Sequence, residues 1–159
     1  MRQGVTIRRL EARDAAAWQR CFASVAAEAL WIGAESPVPD RRAEIVADFV
    51  GHPTDVMFLV EVDGTCVGWI SAEVDTDGGA ELGMGIVDGY REQGIGSALM
   101  ETVIAWADGR RLWLRVFPHN ERARALYRKY GFVEREDKVG VWPRRNGEFW
   151  DLIFMERAA

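Results

Sequence analysis

The stretch REQGIGSALM, residues 91–100, decides how the rest of the chain is read. Gly94 and Gly96 stand one residue apart at the head of an apolar stripe, Ile95, Leu99, Val103 and Trp106, spaced as one face of a helix. Glycine costs about 1 kcal/mol against alanine inside a helix, and Ser, Asp or Asn is the usual cap. A tight turn would use both glycines but does not explain why they sit at the helix start. A glycine-rich approach lets the backbone come close to a ligand, leaves the first helical N–H groups free and adds the positive end of the helix dipole. A phosphate fits that arrangement.

Working outward, AELGMGIVD before the glycines reads as a strand, and RLWLRVF after the helix as another. A strand–helix–strand unit of this kind places its two strands parallel. Further upstream, VMFLVEVDGTCVGWISAEVD is a hairpin turning at Asp63–Gly64. VTIRRLE is a first strand, and Asp14 is expected to cap an Ala-rich helix carrying Trp18, Phe22, Val25 and Ala29 on one face. A loop broken by Pro37 and Pro39 leads to a second helix from about Asp40, with Ile45 and Phe49 inward and Gly51 as its stop. Downstream, NERARALYRKYG is a helix, followed by two strands in FVEREDKVGVW and EFWDLIFME. The order βααβββαβαββ makes an α+β fold of about seven strands and four helices, a mixed and mostly antiparallel sheet.

The 159 residues fit one domain, 1–159, with 48% apolar residues, enough for a sizeable core. The longest apolar runs, such as Val56 to Val60, are far too short to span a bilayer, so no membrane association is expected. The charged N-terminus lacks the apolar stretch of a signal peptide, which makes the cytoplasm the expected compartment. Cys21 and Cys66 lie far apart and read as reduced, buried thiols. With His52 and His119 they make no metal-ligand spacing, and no metal is expected. The net charge of −5 argues against nucleic acid as a partner and suits a cationic acceptor.

Gly83, Gly85 and Gly89 could be forced into a dinucleotide-binding pattern, but that fingerprint needs its glycines in the turn that opens the helix, and here Gly83 and Gly85 lie inside a strand. The RxxGxG of Arg91, Gly94 and Gly96 instead resembles the acetyl-CoA signature of the GNAT superfamily of N-acetyltransferases. The stretch from Asn120 to Phe132, NERARALYRKYGF, is similar to that family's second signature, and strand order and motif spacing match over nearly the whole chain.

The resemblance implies that acetyl-CoA is the acetyl donor, with Arg91 among its binding residues and its pyrophosphate held by the amides of Gln93, Gly94, Ile95, Gly96 and Ser97. It implies a sheet splayed at the parallel strand pair, where the free edge at Met84, Gly85 and Ile86 pairs with the pantetheine arm. Strand glycines such as Gly85 often mark close approach of a ligand or backbone, and a plain bulge is the competing reading of Gly83 and Gly85. Asn120 caps its helix, and Tyr127, seven residues on, returns to the same face about 10 Å along the axis, with Ala123 leaving room between them.

In acetyl transfer an amine attacks the thioester through a tetrahedral intermediate and a thiolate leaves. A phenol of ordinary pKa near 10 is protonated at neutral pH and can donate to that thiolate. The resemblance assigns this role to Tyr127, which unaided would read as a core tyrosine. Glu81, on the strand before the glycines, is the best-placed base, with ordered water or a merely exposed glutamate as its alternatives. The family's acceptor lies between the loop LWIGAESPVP and the last hairpin, which brings in Glu28, Trp31, Glu35, Trp142 and Trp150. The expected acceptor is a small primary amine such as an amino acid. A non-catalytic acyl-CoA sensor and a protein acetyltransferase are the alternatives, and a homodimer is left open.

Overall fold

The computed structural model describes residues 4–159. Its central feature is a seven-stranded sheet in the order β1-β2-β3-β4-β5-β7-β6. The strands are β1 (Val5–Arg9), β2 (Val56–Val62), β3 (Thr65–Val74), β4 (Ala80–Ile86), β5 (Leu112–Val116), β6 (Val133–Pro143) and β7 (Phe149–Arg157). The helices are α1 (Ala15–Ala27), α2 (Arg42–Phe49), α3 (Ile95–Ala107) and α4 (Glu121–Lys129). The element order is the expected one. Asp63 and Gly64 both take positive φ (+50° and +82°), as a type I′ turn needs to match the twist of β2 and β3.

All neighbouring strands run antiparallel except β4 and β5, which α3 joins as a crossover. That parallel pair is short. Only Ala80↔Leu112 and Glu81↔Trp113 are in register, after which the two strands diverge. From Leu82 to Ile86 the β5 side of β4 therefore has no ladder, while its other edge stays paired with β3 as far as Gly68↔Ile86.

Strand alternation sends Ile70, Leu82, Leu112 and Leu114 to one face, where they pack with Ile95, Leu99 and Val103 of α3. Met57, Leu59 and Trp69 go to the other, under Trp18, Val25, Ile45 and Phe49 of α1 and α2. Each such fully buried side chain contributes about 1.5–3 kcal/mol.

Three local expectations change. Asp14 does not cap α1 with its side chain. It closes a 3₁₀ turn, Ala12–Asp14, where its carboxylate accepts from the Glu11 amide (2.8 Å) and from Arg8 (2.7 and 2.8 Å), a stronger charged partner than a free helix amide. Ala29 lies beyond the end of α1 with φ +57°, so Cys21 and Ala26 complete the buried face with Trp18 and Val25. Gly83 and Gly85 are not a bulge, because the β3–β4 register runs unbroken through Ser71↔Gly83 and Trp69↔Gly85. Gly85 is required for another reason: a Cβ there would come 2.3 Å from the Trp69 indole. Cys21 is buried and Cys66 half-buried, both as free thiols. No helix among the described residues is long and apolar enough to cross a membrane.

Candidate active site

The divergence of β4 from β5 opens a cavity of about 430 Å³ that runs from the start of α3, past the unpaired edge of β4, to the α1–α2 side of the sheet. At one end Gly94 sits in the left-handed region (φ +83°) as the N-cap of α3. The first helical bond there runs from Ala98 N–H to Gly94 C=O (3.1 Å), which leaves the amides of Ile95, Gly96 and Ser97 without helical partners. Gly94, Gly96 and Ser97 border the cavity. A Cβ on Gly96 would meet Leu126 of α4 at 3.0 Å, so the missing side chain also lets α3 and α4 close up. Ile95 has its side chain fully buried and Gln93 donates to Gly89 C=O (2.9 Å), so both can face the cavity only through their amides.

Arg91 borders the cavity, but its guanidinium is committed. It forms a bidentate pair with Glu28 (2.8 and 2.6 Å), donates through Nε to Ile86 C=O (2.9 Å) and lies over Trp31 (5.9 Å). Glu28 is consequently held below the usual carboxylate range by the Arg91 hydrogen bonds. Arg91 and Glu28 bind each other and strap the end of α1 to the glycine loop, with Arg91 bordering the cavity and Glu28 behind it.

Along the gap lie Met84, Gly85 and Ile86 on one side and Asn120, Ala123 and Tyr127 on the other. Asn120 caps α4 by accepting from Ala123 N–H (3.3 Å). Tyr127 is almost wholly buried, its ring against Phe132, and no described residue hydrogen-bonds its hydroxyl. Burial pushes this phenol up to about 12, so it holds its proton at neutral pH. Tyr127 is thus a protonated phenol on the cavity wall.

At the far end Glu81 accepts from Arg115 Nε (2.7 Å), and Arg115 lies over Trp113 and Trp142 (6.0 and 5.8 Å). Ser71 and Glu73 of β3 complete this floor. Trp31 and Trp142 line the cavity, but Glu35 and Trp150 do not. Glu35 accepts from the Arg145 amide (2.9 Å), and Trp150 donates to Glu148 (3.0 Å) beneath Arg144 (3.9 Å). They build the closure instead: Arg144 donates to Ala29 C=O (2.8 Å), and Trp142 Nε1 to Gly33 C=O (3.1 Å). A Cβ on Gly33 would fall 2.5 Å from the Trp142 ring. The β6–β7 hairpin is thus pinned on the loop after α1.

Glu73, Arg115, Ser71 and Gly33 escaped sequence reasoning. Period-two alternation could have put Ser71 and Glu73 on one face, but only the strand register brings them to Glu81.

The residues present fit a coenzyme thioester, with free amides in a glycine cradle followed by an unpaired strand edge. No His/Cys/Asp/Glu group of metal-binding size occurs among the described residues. The family model for the acetyltransferase (GNAT) family matches residues 18–132. The chain is 29% identical over 164 residues to the L-amino acid N-acetyltransferase AaaT of Escherichia coli K12, covering 96% of this chain and 97% of that protein. The structure of a GNAT-family acetyltransferase from Streptococcus pneumoniae superposes with TM-score 0.85 at 25% identity, covering 98% and 99% of the two chains. A phosphinothricin acetyltransferase from Sinorhizobium meliloti, in complex with acetyl-CoA, shares the fold at TM-score 0.81 and 17% identity, over 98% and 88%.

Proposed function

The chain belongs to the acetyltransferase (GNAT) family and is an N-acetyltransferase, and on that premise we propose that it acetylates the primary amine of a small molecule of the amino-acid class. The observation that supports a small acceptor is the wall at this end of the cavity, where Trp142 is bonded to Gly33 and the same hairpin is fastened to the loop after α1 through Arg144 and Ala29. A peptide tail would need room on that side. The similarity to an L-amino acid N-acetyltransferase points the same way. In this reading residues 1–159 serve as one catalytic domain.

Acetyl-CoA supplies an activated acetyl thioester that an amine attacks directly. The amides of Ile95, Gly96 and Ser97 hold its pyrophosphate, with Gln93 and Gly94 shaping the turn, and the free edge at Met84, Gly85 and Ile86 guides its arm into the gap. Asn120 borders the same path. Tyr127 gives its proton to the departing thiolate, a role suited to a buried phenol that shares its hydrogen with no described residue. Glu73 and Glu81 make this end of the cavity acidic, which draws in an ammonium, and Arg115, held by Glu81, provides a positive group for a carboxylate on the same acceptor. Trp31 and Trp142 form apolar walls.

Release of free coenzyme thiol from acetyl-CoA, measured against a panel of L-amino acids, related amines and short peptides, tests the proposal. Turnover is expected with amino acids and not with peptides. Preference for peptides would make the protein a protein acetyltransferase. A thermal shift with acetyl-CoA but no thiol release with any amine would make it a sensor.

A further inference from the structure

Two glutamates face each other on the cavity floor. Glu73 of β3 and Glu81 of β4 are direct partners in the antiparallel register, and both border the cavity. Side chains directly opposite have Cβ atoms about 4.5–5.5 Å apart, and like charges so placed repel. The two are treated differently by their neighbours. Glu81 is engaged by Arg115, whose Nε donates to it at 2.7 Å. Glu73 makes no hydrogen bond and no ion pair with any described residue. Its surroundings are mostly acidic: Glu81 across the ladder, Asp55 before β2 and Asp48 on α2, against the positive charge of Arg41 before α2. Arg115, the cation on this floor, is bonded to Glu81, which leaves Glu73 without a cationic partner among the described residues.

We infer that Glu73, and not Glu81, is the residue that binds the acceptor's ammonium and takes its proton. The inference rests on the small-amine reading above. The N–H bond of the ammonium breaks and an O–H bond forms on Glu73, which frees the nitrogen lone pair to attack the acetyl carbon. As the C–S bond breaks, the thiolate takes the proton of Tyr127. The nitrogen's second proton restores the phenol, and Glu73 returns its own to solvent through the cavity. Glu81, held by Arg115, is a positioning residue that keeps the guanidinium in place. Burial first, then the carboxylates of Asp55, Glu81 and Asp48, hold Glu73 above the usual glutamate range, which brings a base closer to working pH.

The test is kcat/KM for an L-amino acid against pH in the native protein, Glu73→Gln and Glu81→Gln, with the acetyl-CoA thermal shift as a control on folding and donor binding. Glu73→Gln should keep the shift, lose at least roughly 100-fold in kcat/KM near neutral pH and lose progressively more towards acid, where only the shrinking fraction of neutral amine can react without the base. Glu81→Gln should show a smaller loss that does not grow towards acid. A loss in Glu73→Gln that does not grow towards acid, or one that grows only in Glu81→Gln, overturns the inference. Carbon-13 titration of the Glu73 carboxyl gives a reading independent of turnover, and a midpoint in the ordinary glutamate range also overturns it. If the native protein acetylates no amine at all, the small-amine function falls. Glu73 is then judged by this titration alone, with a raised midpoint that moves on addition of amino acid sustaining it and an unmoved one ending it.

Discussion

The two ends of the cavity are built on different principles. The end proposed for the donor comes from one continuous stretch, the free edge of β4 running through the glycines into α3, and it offers backbone amides. The end proposed for the acceptor is collected from the loop after α1, β3, β4, β5 and the β6–β7 hairpin, and it offers side chains. Backbone amides need only glycine and a helix start, so they survive wide variation elsewhere. A side-chain chamber can be rebuilt by a few substitutions on separate elements, which is how one fold serves many acceptors.

Tyr127→Phe acts where the two ends meet and should have the largest effect. The ring keeps its packing against Phe132 and loses a hydroxyl that no described residue bonds, so melting temperature and acetyl-CoA affinity should change little. Turnover should fall by roughly 10²- to 10⁴-fold with KM nearly constant, as for a group that acts chiefly in the transition state. Full turnover in steady-state assays would reduce Tyr127 to a structural residue and leave the junction without its acid.

Glu28→Gln loosens the strap between the ends. Removing a half-buried charged hydrogen bond to Arg91 should cost about 1.5–3 kcal/mol. The native pair also has a pH signature. The folded pKa of Glu28 is lowered, so its contribution is complete above the unfolded value near 4.3 and is lost as pH falls through the lower folded value. Melting curves should therefore show the native protein and the variant converging in acid and separating above about pH 5. A gap that does not depend on pH would assign the cost to packing.

Gly85→Ala tests the floor shared by both ends. The added methyl meets the Trp69 indole, which is itself wedged against Trp18 and Phe22, and overpacking of this kind costs about 1–3 kcal/mol. The matching change at Gly83, where the nearest atom is Ser71 Oγ at 3.0 Å, should cost less in a denaturant titration. Equal losses would mean that the indole moves aside freely.

Trp142→Phe affects the acceptor end alone and should have the smallest effect. It removes the bond to Gly33 C=O while keeping an aromatic wall. KM for the amine should rise by up to about tenfold, equivalent to about 1.4 kcal/mol, with acetyl-CoA affinity unchanged. A change in donor affinity instead would show that the two ends are not separable.

The order of elements, the hairpin turn at Asp63–Gly64 and the glycine cradle were all legible in the residues, because each is a local matter. Positive φ, apolar period and helix start are written within a few positions of one another. The cap of α4 was legible for the same reason. The seat of Arg91 was not, since its partner Glu28 is 63 residues away and a guanidinium reads the same whether it meets a phosphate or a carboxylate. Nor were the roles of Glu35 and Trp150 as fasteners, the wedge of Trp69 against Gly85, or the exposure of Glu73 to the cavity beside a committed Glu81. Those depend on strand register and on contacts between the loop after α1 and the last hairpin. A sequence states which face a residue takes within its own element. Only the folded chain decides which distant side chain stands opposite, and at this site that pairing determines which charges remain available to a ligand.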